Sequence, residues 1–230
     1  MDNIVIVGTG PNARLALSFI KYHKLFNVIG FAVNQKYYDT DTFEGYKVYV
    51  LEKLEESIGS KENYVLFVAL LWNHLNKERK ELYDYCKSNG YKMANLISPL
   101  AVVRSEIHGD NCWIQDYVVI QNDTIIGNNV AIMAGALIGA DCQVGSHCFF
   151  GAHSLLAGGC VLGNQSFIGL KATVFDDTKI GSKCIVGACT AVKRNMPDCS
   201  KYITSSDSIV IKQYSEDEIE SKLVFSKNKR

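Results

Sequence analysis

Histidine is the residue type in this chain that could move protons near neutral pH. The chain has five histidines, and only His147 and His153 fall inside the strongly patterned region described below. A histidine acting as a general base contributes about 10²- to 10⁴-fold to a rate, and a neighbouring carboxylate fixes its tautomer. We expect the other three, His23, His74 and His108, to be solvated surface residues.

A second candidate site is the turn over residues 8–12, which reads GTGPN and joins an apolar run to a helical pattern. Glycines such as Gly8 and Gly10 let a backbone approach a phosphate at a helix N-terminus. The third glycine of the dinucleotide pattern is replaced by Ala13, and the next strand pattern ends at Asn34 rather than at an acid. The pattern therefore argues against NAD, and a tight turn without a ligand remains an alternative.

The elements that would position this turn alternate along the first hundred residues. Apolar runs predict strands, and helical periodicity predicts the helices between them. This alternation indicates βαβ units and a parallel sheet. The predicted strands lie in NIVIVGTG, VIGFAVN, VYVLEKLEESI, YVLFVALL and YKMANLIS, and the predicted helices in PNARLALSFIKYHK, VYVLEKLEESI and NKERKELYDYCKSNG.

A six-residue repeat dominates the second half of the chain. Every sixth residue from Ile114 to Val192 is large and apolar, and the residue two before each is small or β-branched. This period is typical of a hexapeptide β-helix, in which three hexads close one coil. Five of the eight cysteines fall at the small positions, so we interpret them as compact core residues rather than disulfide partners or metal ligands. They are Cys112, Cys142, Cys148, Cys160 and Cys184.

Residues eighteen apart should lie above one another in such a helix. His147 and His153 are one hexad apart, so they project from different faces and cannot grip one metal ion within a single chain. A zinc site would need histidines from adjacent chains, and the usual ligand spacing is missing. For His147 a structural hydrogen-bonding role is favoured, whereas for His153 structure and ligand contact are both open. The predicted stacks are Asn122–Ala140–Gly158, Asn129–His147–Gln165 and Gly135–His153–Lys171.

Three stretches together resemble the bacterial sugar acyltransferases of the sialic acid O-acetyltransferase and PglD type. The first is GTGPNARLA, the family's glycine turn, and the second is NKERKELYDYCKSNGYKMANLISPLAVV, its linking helix and strand. The third is GALIGADCQVGSHCFFGAHSLLAGGCVLGNQSFIGLKATV, the core of its acyltransferase domain. The resemblance covers nearly the whole chain.

The resemblance implies an α/β Rossmann-like domain over residues 1–98, followed by a left-handed parallel β-helix over 99–196. A C-terminal extension with a short helix is expected over 197–230, because Ser215 and Glu218 form a capping box. The family's usual Gly-x-Pro-Ala near the end is absent. The resemblance further implies a homotrimer that uses acetyl-CoA, without a metal ion, to acylate an amino or hydroxyl group of a nucleotide-linked sugar in surface glycan synthesis.

The resemblance also implies where the ligands bind. Gly8, Gly10, Asn12 and Asn34 are the predicted contacts of the nucleotide-linked sugar. The predicted contacts of acetyl-CoA lie in the coils where the family holds the CoA arm, at Gly158, Gly169, Leu170 and Lys171. The repeat itself explains Gly169. Gly158 falls outside the glycine register, so it points more strongly to a CoA contact. Lys171 could meet a CoA phosphate or simply be solvated.

The family's base histidine falls on Ala140, next to Asp141 in the orienting position. Ala140 cannot accept a proton. Three explanations are open for the absence of the family's histidine at this position. The sequence could be a deliberate His→Ala variant, which makes GADC a normal family motif once the histidine is restored. His153, or less directly His147, could be the base instead. Finally, the protein could be catalytically silent, as a sugar-nucleotide-binding or assembly subunit.

The overall composition excludes several other classes of partner. Net charge is zero, and basic residues are dispersed apart from a short tail, SKNKR, so neither nucleic acid nor an anionic membrane is expected as a partner. No apolar run approaches the roughly 20 residues of a membrane span. The N-terminus MDNIVIVGTG lacks the basic start and cleavage site of a signal peptide. The expected location is the cytoplasm.

Overall fold

The computed structural model of the chain describes residues 1–204 and 209–222. The chain divides into two compact units. The N-terminal unit contains residues 1–71 and 79–96, and the second unit contains residues 72–78 together with the described residues from Ile97 onward.

The N-terminal unit is built around a five-stranded sheet with the order β3-β4-β2-β1-β5. All neighbours pair in parallel except β3 with β4, so the predicted parallel sheet is present. The first helix begins at Pro11, whose missing N–H costs nothing at that position, and it buries Ala13, Ala16, Leu17 and Ile20. The elements are β1 Asn3–Val7, α1 Pro11–His23, β2 Asn27–Val33, β3 Thr42–Phe43, β4 Tyr46–Val50, α2 Leu54–Ile58, β5 Val65–Val68 and the part of α3 Asn73–Ser88 from Arg79 onward.

The strand predicted over YKMANLIS is much shorter than expected. It forms one bridge between Leu66 and Met93 and then only the two-residue strand β6, Leu96–Ile97. The next acceptor in a parallel ladder with β5 would be the carbonyl of Val68. That carbonyl instead accepts a hydrogen bond from the buried guanidinium of Arg79, at 2.6 Å. Arg79 thus uses one acceptor position of this carbonyl at the point where the ladder ends.

The second unit is a parallel β-helix whose strands recur every six residues, as the repeat predicts. Each strand pairs with the strands eighteen residues before and after it, so that Ile132 pairs with Ile114 and with Phe150. After β7 Val102–Val103, the repeat strands are β8 Trp113–Ile114, β9 Val119–Ile120, β10 Ile125–Ile126, β11 Ala131–Ile132, β12 Leu137–Ile138, β13 Gln143–Val144, β14 Phe149–Phe150, β15 Leu155–Leu156, β16 Val161–Leu162, β17 Phe167–Ile168, β18 Thr173–Val174, β19 Lys179–Ile180, β20 Ile185–Val186 and β21 Ala191–Val192.

Three sheets form the faces of this β-helix. The first face contains β8, β11, β14, β17 and β20, the second β9, β12, β15, β18 and β21, and the third β10, β13, β16 and β19. The second residue of each strand points inward, and these residues form one continuous core in which the five register cysteines are fully buried. The interpretation of those cysteines as core residues is confirmed.

The chain turns between faces at a residue with left-handed backbone conformation, and these residues recur every six positions. Asn, Asp, His and Gly tolerate this conformation better than most residues. Side chains at these positions stack along three edges, which we name by their chemistry. The basic edge, between the first and second faces, carries Tyr117, Gly135, His153, Lys171 and Cys189; the acidic edge, between the second and third, carries Asp123, Asp141, Gly159 and Asp177; the amide edge, between the third and first, carries Asn111, Asn129, His147, Gln165, Lys183 and Cys199.

Two further pieces adjoin the first face: one packs on its outer surface, and the other extends its sheet beyond β20 and adds a packed helix. The strap, Trp72–Glu78, places Leu75 against Ile185 and Ile219. The C-terminal pieces are β22 Ser200–Thr204, β23 Ile209–Gln213 and α4 Glu216–Ser221, and the predicted capping box of Ser215 and Glu218 is present at α4. The strap is formally part of α3, but His74, Leu75 and Asn76 have left-handed φ angles of 45°, 54° and 61°.

Candidate functional site

The acidic edge contains the position where the resemblance expects the base. Ala140 lies between Asn122 and Gly158, as the stacking predicts, and its neighbour Asp141 is exposed. The N–H of Ala140 donates to Oε1 of Gln121 at 3.1 Å. The residues that stack above and below Asp141 at this edge are Gly159 and Asp123, so the edge gives Asp141 no imidazole to orient.

Gly158 has no steric reason to be glycine. A methyl group added there would meet its nearest neighbours, the Ala140 carbonyl and Asp176 Oδ1, at ordinary contact distances of 3.5 and 3.6 Å. Its backbone groups are nevertheless engaged, since its N–H donates to Oδ1 of Asp176 at 3.1 Å and its carbonyl accepts from the N–H of Asp177 at 2.9 Å. A ligand that used the Gly158 N–H would have to displace the Asp176 carboxylate.

The basic edge holds His153, and the predicted stack with Gly135 and Lys171 is present there. The imidazole of His153 is exposed and lies over Gly135, where an added Cβ would come within 2.5 Å of its Nδ1. Lys171 is exposed one coil above, and its N–H donates to the carbonyl of Ala152 at 3.0 Å. Beside it, the side chain of Leu170 is 48 % exposed.

Gly169, the remaining predicted CoA contact, is required by coil stacking. A Cβ there would meet the backbone nitrogen of Ala188 at 2.5 Å, a distance that real side chains do not adopt. Its N–H is also used, because it donates to the carbonyl of Val186 at 2.8 Å. This glycine is therefore explained without a ligand.

The basic edge has free backbone donors that the sequence analysis did not identify. Within the described part of the chain, the N–H groups of Ala152, Leu170 and Ala188 have no hydrogen-bond acceptor. The equivalent N–H one coil below Ala152 belongs to Ala134 and is capped by the side chain of Gln115 at 3.2 Å. No residue type in the six-residue repeat signals this difference, because it depends on whether a neighbouring coil supplies a capping side chain.

The amide edge is a hydrogen-bonded ladder. The side chain of Asn111 donates to Asn129 at 2.7 Å, and that of Asn129 lies 2.9 Å from Nδ1 of His147. These side chains are buried, and the strap adds a further bond from Nδ2 of Asn76 to the His147 carbonyl, at 2.8 Å. The hydrogen-bonding interpretation of His147 is confirmed.

Asp141, His147 and His153 belong to one coil but stand on three different edges. The fold therefore does not bring Asp141 and either histidine together within one chain. Among residues 1–204 and 209–222, no group of three or more His, Cys, Asp or Glu side chains could hold a metal ion. A cavity of about 220 Å³ lies at the amide edge, and Gln165, Lys183, Cys199 and Glu216 are among its lining residues. None of the predicted site residues lines this cavity.

In the N-terminal unit, the predicted sugar-nucleotide residues lie at the carboxyl ends of neighbouring parallel strands. Gly8 follows β1 with a φ of 121°, which favours glycine, and its N–H donates to the Ala32 carbonyl at 2.8 Å. Gly10 caps α1 with no side-chain bond, and Asn12 lies in the first turn of that helix. This arrangement leaves the glycine turn directly before a helix N-terminus.

Asn34 follows β2 and binds an acid that the sequence analysis missed. Its Nδ2 donates to Oε1 of Glu52 at 3.0 Å, and the other oxygen of Glu52 accepts the N–H of Gln35 at 2.9 Å. The missing carboxylate at the end of the second strand is thus supplied from beyond β4. Local sequence could not reveal it, because Glu52 reaches Asn34 only when the sheet has formed.

Comparisons with known proteins agree with the repeat. The bacterial transferase hexapeptide (six repeats) family matches residues 107–140 and 123–158. PerB from Caulobacter crescentus, solved in complex with CoA and GDP-perosamine, is 28% identical with a TM-score of 0.78, covering 92% of this chain and 98% of that one. A mutant of perosamine N-acetyltransferase from the same organism, with the same ligands, gives 28% identity and a TM-score of 0.79, covering 93% and 98%.

A more distant structure shows the same fold. The acetyltransferase domain of PglB from Neisseria gonorrhoeae is 20% identical with a TM-score of 0.77, covering 91% of this chain and 99% of that one. The comparison with curated proteins found no match. The expected resemblance to sugar acyltransferases of the hexapeptide, left-handed β-helix type is confirmed. No helix among the described residues has the length and hydropathy needed to cross a membrane.

Proposed function

We propose that this protein is a CoA-dependent acyltransferase that transfers an acetyl group to an amino or hydroxyl group of a nucleotide-linked sugar. The observation that carries this proposal is the whole-chain likeness to PerB, whose structure was solved in complex with CoA and GDP-perosamine. The match includes the N-terminal unit as well as the β-helix, which supports both halves of the reaction. A cytoplasmic place in bacterial surface glycan synthesis is part of the proposal.

The N-terminal unit is the proposed nucleotide-sugar domain, with a Rossmann-like organisation over residues 1–98. Its support is the parallel order of β2, β1 and β5, with the glycine turn and Asn34 at the carboxyl ends of adjacent strands. Ligands of open α/β sheets bind at this end of the strands. Gly8, Gly10 and Asn12 would face the diphosphate, and Asn34 with Glu52 would meet the sugar or ribose hydroxyls.

Acetyl-CoA is the proposed acyl donor and therefore a substrate of the reaction. Its phosphates require cations or N–H donors, and Lys171 with the free N–H of Leu170 provides both. Gly158 and Gly169 fit less well as donors to this substrate, because their N–H groups already have acceptors. The residues of the basic edge thus support donor binding better than the two glycines do.

A homotrimer is the proposed assembly, and the second face supports it. The outward residues of that face carry no charge, which favours burial against another chain. By contrast, the outward positions of the third face include the polar Gln143 and the charged Lys179. The outward residues of the second face are Val102, Val119, Leu137, Leu155, Thr173 and Ala191.

A second candidate function is a catalytically silent subunit that binds a sugar nucleotide, and one observation favours it. Ala140 stands where the resemblance expects a histidine, and its methyl group cannot remove a proton. The two functions make different predictions for turnover, although both predict binding of the nucleotide-linked sugar.

The test is release of free thiol from acetyl-CoA in the presence of UDP-, GDP- or dTDP-linked amino sugars. Sugar-dependent thiol release by the wild-type chain supports the enzyme, while sugar binding by calorimetry without thiol release supports the silent subunit. The Ala140→His variant is measured beside the wild-type chain, because this substitution restores the family motif. Turnover only in Ala140→His would show that position 140 is where this chain lost its base.

A further inference from the structure

We infer that acyl transfer takes place at the basic edge, with His153 as the general base. The inference rests on the proposed function and specifies its reacting site. It departs from the expectation carried by the Ala140–Asp141 pair, which lies on the acidic edge. The two edges occupy corresponding levels of the same coils, so their side chains and free donors can be compared directly.

The acidic edge is poorly suited to an anionic acyl donor. Three of its four corner residues are aspartates, and Asp176 adds a further exposed carboxylate beside Gly158. These charges repel the phosphates of CoA. The N–H groups of Ala140 and Gly158 already donate to Gln121 and Asp176, so they are not available to a developing oxyanion. This edge also carries no imidazole, because position 140 is alanine.

The basic edge differs in its charge and in its donors. Ala152 and Leu170, twelve residues after Ala140 and Gly158, have free N–H groups in the described structure, whereas Ala134, six residues before Ala140, donates to Gln115. Preorganised N–H donors of this kind stabilise a tetrahedral oxyanion. The side chain of Lys171 supplies a positive charge, and His153 supplies an exposed imidazole that lies over Gly135, one coil below Lys171.

The position of His153 is fixed by its surroundings. Its backbone is left-handed with a φ of 56°, and its N–H donates to the Ala134 carbonyl at 3.0 Å. The Nδ1 edge of its ring lies over Gly135, which leaves space for it only because that residue has no Cβ. The charged and titratable side chains stacked on this edge are Lys171 above it, Cys189 above Lys171, and Tyr117 below Gly135. Asp116, next to Tyr117, accepts the hydroxyl of Ser98 at 2.5 Å.

The reaction at this edge balances as a simple acyl transfer. The amine or hydroxyl of the sugar attacks the thioester carbonyl carbon, forming a C–N or C–O bond. Its proton passes to an imidazole nitrogen of His153, and the carbonyl oxygen takes the negative charge near the free N–H groups. The carbon–sulfur bond then breaks, and His153 returns the proton to the leaving thiolate of CoA.

The first experiment compares His153→Gln with His108→Gln, an exposed histidine that lies before the repeat. We expect His153→Gln to lower kcat by about 10²-fold or more and to remove the acid limb of the pH profile of kcat/KM. We expect His108→Gln to behave like the wild-type protein. Binding of CoA, measured by calorimetry, should change little in His153→Gln, because Lys171 and the N–H groups remain.

The second experiment uses two glycines that share one backbone conformation. Gly135 and Gly159 have φ angles of 70° and 68°, so Gly→Ala introduces similar backbone strain at each. At Gly135 the new methyl group displaces His153, whereas at Gly159 it displaces Asp177 on the acidic edge. We expect Gly135→Ala to lower kcat at least tenfold more than Gly159→Ala, with similar melting temperatures for the two variants.

The outcomes separate this inference from the proposed function. A wild-type chain that releases no thiol with any of the sugars overturns the proposed function itself. A wild-type chain that turns over, together with full activity in His153→Gln and a large loss in Asp141→Asn, overturns the assignment to the basic edge alone. Equal losses in Gly135→Ala and Gly159→Ala, with His153→Gln active, would have the same meaning.

Discussion

The first and second faces of the β-helix have the same internal repeat but opposite external surroundings. On the first face, the strap and α4 cover Ile185, and Phe149 stacks on Phe167 with ring centroids 5.0 Å apart. On the second face, outward residues such as Leu137 and Leu155 are only half-buried. The repeat sets the inward residues of both faces alike, so the outward residues decide what each face contacts. We therefore expect mutations on the first face to change stability and those on the second to change assembly.

The largest expected effect is on assembly. If the second face holds the proposed trimer together, Leu155→Glu places a charge in an apolar interface and converts the trimer to a monomer. Light scattering coupled to size-exclusion chromatography measures this change. The matched control is Gln143→Glu, an exposed position on the third face, which should leave the mass unchanged. A monomeric wild-type protein would contradict the trimer.

The next effect is loss of the buried contact beneath the strap. Leu75 is 1% exposed and packs against Ile185 and Ile219, so Leu75→Ala should lower the free energy of unfolding by about 2–5 kcal/mol. Leu137→Ala is the comparison on the second face, and it should cost less in the dissociated monomer because that side chain is half-buried. Urea denaturation at low protein concentration measures both. Equal losses would remove the distinction between the faces.

A smaller effect should follow from the polar anchor of the strap. Asn76 accepts the N–H of Trp72 at 2.7 Å and donates to the His147 carbonyl, so Asn76→Ala leaves two backbone groups without these bonds. The expected loss is about 1–3 kcal/mol in the free energy of unfolding. Hydrogen exchange should show faster exchange at Trp72 and at neighbouring strap amides. Unchanged protection of the strap would indicate that Leu75 alone holds it.

The smallest expected effect depends on pH. Burial raises the pKa of Glu220, but the ammonium groups of Lys77 and Lys183 lower it further than burial raises it, so the pKa lies below its ordinary value. The folded state thus gains stability from Glu220 above the carboxyl pKa of the unfolded chain. That gain is lost as pH falls through the lower pKa of the folded state. Glu220→Gln should cost on the order of 1 kcal/mol or less at pH 7, because the ion pairs are partly exposed.

Urea denaturation of the wild-type and Glu220→Gln proteins at several pH values tests this prediction. The difference between the two should shrink toward zero in acid, whereas a difference that persists there would assign the effect to packing. Glu78→Gln is a useful control, because Glu78 pairs with His74 on the exposed side of the strap.

The site could be predicted from sequence only where it depends on the repeat. The stacks of Ala140 with Gly158, and of His153 with Lys171, follow from eighteen-residue spacing and are present in the structure. The free N–H groups of the basic edge could not be predicted, because each depends on whether a neighbouring coil offers a capping oxygen, as Gln115 does for Ala134. The pairing of Asn34 with Glu52 was equally out of reach, since these residues meet only across the assembled sheet.

The sequence by itself determined the β-helix, because a strict period repeats the same local choice of strand, turn and inward residue in every coil. It also determined the α4 cap and the parallel order of the N-terminal sheet. Only the tertiary structure decided the early end of the YKMANLIS strand, where Arg79 takes the Val68 carbonyl. It also decided the left-handed strap, whose backbone costs about 1–2 kcal/mol per residue and is held by contacts distant in sequence. Interactions that recur with the period can be predicted from the sequence, whereas single long-range contacts appear only once the chain has folded.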